Sequence, residues 1–221
     1  MAREKRVMQN AITEGVIWKQ LLLFFFPIVL GTFFQQLYNT ADAIIVGKFV
    51  GKEALAAVGG TTGTLINLLV GFFVGLSSGA SVIISQFYGA QRSEDVSRAV
   101  HTTMALALAS GAALTVLGIC LSKNVLIMMG TPADVLDYAV TYINIYFLGM
   151  IPSLIYNIGS GILRAVGDSR RPLFFLVSAT MTNIVLDVVL VIGLNLGVAG
   201  AAAATVLSQV VSAVLVMMTL R

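Results

Sequence analysis

Residues 18–46 read WKQLLLFFFPIVLGTFFQQLYNTADAIIV, an apolar run with two charges, Lys19 and Asp42, and one proline, Pro27. A bilayer core needs about 20 such residues in a helix, because a helix satisfies every backbone N–H and C=O within the segment. Membrane-spanning strands would alternate apolar and polar residues, and this run does not. Five further blocks share the pattern, at about residues 55–88, 99–121, 138–163, 173–194 and 198–220, each set off by Gly, Pro or charge. The block at 55–88 exceeds one straight span, which predicts tilt or extension beyond the membrane. The expected fold is an all-α membrane protein, a six-transmembrane-helix bundle over residues 18–221 behind a cytoplasmic tail at 1–17.

Composition agrees. Hydrophobic residues make up 58% of the chain and charged residues 10%, against about 25% charged in an average soluble domain. The net charge of +3 comes from Lys and Arg scattered between apolar blocks. They form no basic patch with interleaved aromatics, so a nucleic-acid partner is excluded. Cys120 is the single cysteine and sits in an apolar run, which leaves no disulfide framework and no thiolate metal site. Met1–Lys19 leads into a long span without a small-residue cleavage site, as a cytoplasmic tail would and a cleaved signal peptide would not.

Orientation follows from the basic residues. With the N-terminus inside, the inner segments hold Arg3, Lys5, Arg6, Lys19, Arg92, Arg98, Arg164, Arg170, Arg171 and Arg221, ten in all. The outer loops hold three, Lys48, Lys52 and Lys123. This bias predicts both ends in the cytoplasm, in a plasma-membrane, multi-pass protein, and opposes dual topology. Gly71, Gly75 and Gly79, with Gly63 further up, predict a close-packing helix surface, as do Gly197, Gly200 and Ala201 to Ala204.

Charges inside spans are costly and usually functional. Eight of the ten acidic residues fall in tails or loops, and the exceptions are Asp42 and Asp187. From an inner boundary at Leu173, Asp187 lies roughly 21 Å up its helix, and Thr205 about 10 Å down the sixth helix from the outer side. Asn183 precedes Asp187 by four residues and shares its face, while Gln35, Asn39 and Asp42 share a face of the first helix. Facing one another, these stripes would offer two carboxylates, an amide carbonyl and a hydroxyl. Two buried carboxylates held close do not both stay ionised without a counter-ion, so the set suits Na⁺ or a proton. Asp42 alone reads equally as an interfacial residue in contact with water. His101 reads as a surface or interface histidine. Pro27 and Pro152 are candidate helix kinks, since proline removes a backbone hydrogen bond. No Ser/His/Asp set, metal-ligand cluster, Walker loop or paired acidic motif is present, so the expectation is a protein that is not an enzyme.

Several segments carry a family resemblance. Pro27 to Asp42, with its Gln residues and an aspartate fifteen residues after the proline, resembles the first helix of MATE (multidrug and toxic compound extrusion) transporters. Gly47-Lys48-Phe49-Val50-Gly51 followed by Ala54-Leu55-Ala56-Ala57-Val58 resembles the family's first outer loop. Gln86-Phe87-Tyr88-Gly89-Ala90 is similar to the end of its second helix. Arg164-Ala165-Val166-Gly167-Asp168, with Pro172, is similar to its loop between helices four and five. The resemblance implies a cation site at Asp42, Asn183, Asp187 and Thr205, a substrate cavity near Gln35, Tyr38 and Asn39, and a first helix that bends near Pro27. It implies Na⁺- or H⁺-coupled antiport of drug-like organic solutes, with no cofactor beyond the coupling ion. Family members have twelve helices in two halves, so the chain is expected to be the N-terminal lobe. Its partner would be a C-terminal half or a second copy in a parallel homodimer. A lipid-linked sugar flippase of the same superfold is the alternative, although its pyrophosphate substrates call for a positive cavity and the first helix offers no intramembrane Arg or Lys. A non-transporting membrane fragment or subunit is the remaining one.

Overall fold

The computed structural model describes residues 16–220. The expected tail therefore falls outside the described residues up to residue 15, as does Arg221. Eight α-helices and one π-helical segment follow in order among the described residues: α1 (Ile17–Phe49), α2 (Lys52–Gly59), α3 (Thr61–Gly89), α4 (Ser93–Met128), α5 (Ala133–Leu148), α6 (Met150–Ala165), α7 (Arg170–Asp187), the π segment (Val188–Gly193) and α8 (Gly197–Leu220). Five of the resulting helical stretches are long and apolar enough to cross a membrane, and the bent pair α5–α6 makes a sixth. The protein is a multi-pass membrane protein.

Helix ends reach past the apolar blocks. The block at 99–121 becomes α4, 36 residues long, or about 54 Å against a hydrocarbon core of about 30 Å. Its added turns carry Glu94, Asp95 and Arg98 at one end and Lys123 and Asn124 at the other, groups that hold a helix in water but not in lipid. The outer loop expected after residue 46 shrinks to a turn at Val50–Gly51, where Gly51 takes φ +128°. Gly60 then separates α2 from α3; a methyl there would meet the Ala56 carbonyl oxygen at 2.5 Å.

The fourth span bends by 55° between Leu148 and Met150. Pro152 supplies the cause. In a continuous helix it would lack the N–H that bonds the carbonyl of Leu148, and its ring would collide with that carbonyl. Breaking at Gly149 puts Pro152 in the first turn of α6, where a missing N–H costs nothing. Thr115 Oγ1 then donates to the Phe147 carbonyl at 2.8 Å, and the Ser122 hydroxyl to Asn144 Oδ1 at 2.7 Å, supporting the bend from α4. Pro27, in contrast, leaves α1 one unbroken helix.

Close packing centres on glycines that the small-residue spacing did not single out. A methyl on Gly118 would run into the Phe147 ring, and one on Gly159 into Val216. The expectation for Gly71, Gly75 and Gly79 is corrected: nothing lies within 4 Å of an added methyl at any of them, because that face of α3 points away from the bundle. Gly200 and Ala201, Ala202 and Ala204 are buried as expected, with α8 laid against α7. The bundle has α8 near its centre, packed against α5, α6 and α7, while α1 packs on α7 and α3 on α6. α1 and α3 do not pack together, and a cleft opens between them.

Candidate functional site

The third turn from the C-terminal end of α1 carries Asp42, and α7 ends on Asp187, at the start of the π segment. Asn183 and Asp187 are 0% exposed and Asp42 5%. The two carboxyls lie close enough to share a hydrogen bond once one of them carries a proton. Among the described residues, Asp42 Oδ1, both Asp187 oxygens, both polar atoms of the Asn183 amide and the Thr205 hydroxyl have no hydrogen-bond partner. Buried polar groups are almost always paired, so several orphans in one place mark a site. The chemistry is oxygen-rich and anionic, matched to a hard cation or a proton. Among the described residues no group of three or more His, Cys, Asp or Glu gathers as a metal site.

Sequence spacing explains why these groups meet. Residues four apart share a helix face, so Asn183 and Asp187 share one face of α7, whose Asp187 end meets Asp42 of α1. The π segment that follows closes with Leu194 N–H donating to the Val189 carbonyl at 2.9 Å, a step of five residues. Such bulges recur at functional sites because they re-aim side chains within a helix.

The cleft between α1 and α3 holds a cavity of about 340 Å³. Gln35, Tyr38, Asn39 and Asp42 line it from α1, and Thr205, Ser208 and Gln209 from α8. All three expected cavity residues are therefore on its wall, with Gln35 and Asn39 exposed at the mouth. Tyr38 turns inward, its hydroxyl beside Thr205 and Ser208. Asn183 and Asp187 do not line the cavity. Asp42 stands between the two, on the cavity wall with its carboxyl against Asp187.

Residues not anticipated complete the lining. Tyr142 and Tyr146, stacked at 6.3 Å between ring centroids, face Asp42 and Gln209 respectively. Their i, i+4 spacing on α5 was visible, as was the polar stripe Thr205, Ser208, Gln209 and Ser212 on α8. Hydroxyls and amides in apolar runs carry a weaker signal than carboxylates, since serine and threonine satisfy themselves on their own helix. Ser208 does so, donating to the Thr205 carbonyl at 2.8 Å. His101 is exposed, its Nδ1–H donating to the Ser97 carbonyl at 2.8 Å.

A helical bundle with an open polar cleft and a buried anionic pocket behind it is the architecture of a membrane transporter. The family model described as MatE matches residues 27–189, and the chain belongs to this MATE family, whose members are transporters and not enzymes. The probable multidrug resistance protein YoeA of Bacillus subtilis (strain 168) is 34% identical over 209 residues, 93% of this chain and 45% of that protein. An outward-facing multidrug resistance MATE family transporter of the MOP superfamily superposes with a TM-score of 0.88 at 30% identity, covering 99% of this chain and 48% of its own. A MATE protein in a straight conformation gives 0.88 at 31% identity, covering 97% of this chain and 47% of its own. The chain spans about half the length of the relatives it matches.

Proposed function

We propose that the chain is the N-terminal lobe of a cation-coupled exporter of drug-like organic solutes, seated in the plasma membrane with its ends in the cytoplasm. The observation that carries this reading is the set of unpartnered oxygens on Asp42, Asn183, Asp187 and Thr205. Na⁺ or H⁺ is the ion that such a set would take. An inward-moving cation gains about 2.3 kcal/mol per 100 mV of membrane potential, enough to drive a solute outward. Asp42 links ion to solute because it belongs to both the ion pocket and the cavity wall. Neutralising its carboxylate removes a charge from the cavity and alters the hold on a cationic solute. A change in the α1 backbone near Pro27, whose missing N–H weakens the helix there, would widen that effect into a change of cavity shape. A second lobe, either a C-terminal half or another copy lying parallel, would close the open side of the cleft.

The test is drug export by cells carrying the transporter with Asp42→Asn or Asp187→Asn. Loss of export in each, with normal membrane abundance, is expected. Unchanged export in both would overturn the coupling role.

A further inference from the structure

A second cavity, of about 450 Å³, lies along the C-terminal halves of α3 and α6. Ser77, Ser78, Ser81 and Ser85 line it from α3 and Asn157 and Arg164 from α6. The proposed ion pathway does not use it; the two cavities share only Asn157. A methyl on Gly161 would sit 2.5 Å from the Ser77 hydroxyl oxygen and 2.9 Å from that of Ser81. The hydroxyls are thus turned towards α6, and a glycine admits them.

Arg164 distinguishes this cavity from the first. Arg92 and Arg171 are paired with Asp95 and Asp168, whereas Arg164 makes no ion pair among the described residues. Among the described residues no acidic one lines the cavity, and Tyr156 is the titratable group that acts on the guanidinium. Arg164 is exposed at the end of its helix, open to water or to an anion that would neutralise it. Its planar fork matches the geometry of oxyanions, and the Ser81 and Ser85 hydroxyls, which donate to the Ser77 and Val82 carbonyls at 2.8 Å, would rotate from them to an oxyanion. We propose that the cavity is an oxyanion subsite, taking a phosphate group through the Arg164 guanidinium and the Ser81 and Ser85 hydroxyls. Its polarity is opposite to that of the Asp42 cluster. Inorganic phosphate and the headgroup of an anionic lipid in the inner leaflet share the required chemistry.

Thermal unfolding of the detergent-solubilised chain tests this. One arm exchanges sodium chloride for sodium phosphate at matched Na⁺ and ionic strength; the other exchanges phosphatidylcholine for phosphatidylglycerol in mixed micelles. Arg164→Gln, Ser81→Ala/Ser85→Ala and the surface control Arg98→Gln are compared with the unsubstituted chain. A rise in Tm that Arg98→Gln keeps and Arg164→Gln loses is expected, with the serine pair reducing it. A rise in the lipid arm alone assigns a headgroup, and a rise in the phosphate arm assigns free phosphate. No rise in either arm, or an equal rise in Arg164→Gln, overturns the proposal. Should Arg164→Gln fail to fold, a full rise in the serine variant overturns it. Any Na⁺-dependent stabilisation should survive Arg164→Gln, which separates this subsite from the cation pocket.

Discussion

At the scale of single residues, the pair Asp42 and Asp187 has two opposed effects. When both carboxylates are ionised they repel inside a poorly hydrated pocket; when a cation or proton sits between them they bind it. Asp187→Asn is therefore expected to raise Tm in Na⁺-free buffer at alkaline pH while abolishing the stabilisation that added Na⁺ gives, read by thermal unfolding in the two buffers. A lower Tm in both would mean that the carboxylate serves the fold. These two positions were legible in the sequence because an acid in an apolar run is conspicuous. Tyr142, Tyr146 and Ser208 were not, since their polar atoms are affordable in a span and their position depends on how α5 and α8 pack. The loop that leads into α7 carries a similar lesson. Gly167 adopts φ +91°, and Asp168 Oδ1 accepts the N–H groups of Arg170 and Arg171, both at 3.1 Å. The Arg164–Asp168 segment thus begins α7 mechanically, and Asp168→Ala should cost about 0.5–2 kcal/mol of stability, measured by denaturation in detergent.

At the scale of elements, the number of spans was legible because hydropathy records what lipid requires. Their ends were not, because helices continue into water on polar residues. Glycine spacing proved a poor guide to contact: it selected Gly71, Gly75 and Gly79, which touch nothing, and missed Gly118 and Gly159, which are pressed against side chains of α5 and α8. Spacing reports which residues share a face but not which face is turned inward. The contrast is measurable. Gly159→Ala should destabilise the chain by about 1–3 kcal/mol through overpacking against Val216, whereas Gly75→Ala should leave stability unchanged or raise it by up to about 1 kcal/mol. Equal effects in unfolding experiments would contradict the packing described here.

At the scale of the whole molecule, the cleft between α1 and α3 leaves a polar strip of α1, including Gln35, Gln36, Asn39 and Thr40, exposed along a membrane-length helix. Lipid would not tolerate that strip, so water or protein must cover it. Orientation is checked separately with a membrane-impermeant maleimide, after Cys120→Ser removes the exposed native thiol. Lys48→Cys should label in intact cells and Arg98→Cys only after permeabilisation. The reverse pattern would place Asp42 and Asp187 in the inner half of the bilayer and require the ion to enter from the opposite side. The π segment after Asp187 has a consequence of another kind. It holds one more residue than an α-helical path between the same endpoints, which amounts to an insertion that the fold has absorbed. Deleting Val189 would remove that surplus and return the segment to an α-helical path between the same endpoints, with Asp187 aimed as before. A single codon thus separates a regular helix end from one wound wider beside Asp187, a change of backbone that alters no side chain in the pocket.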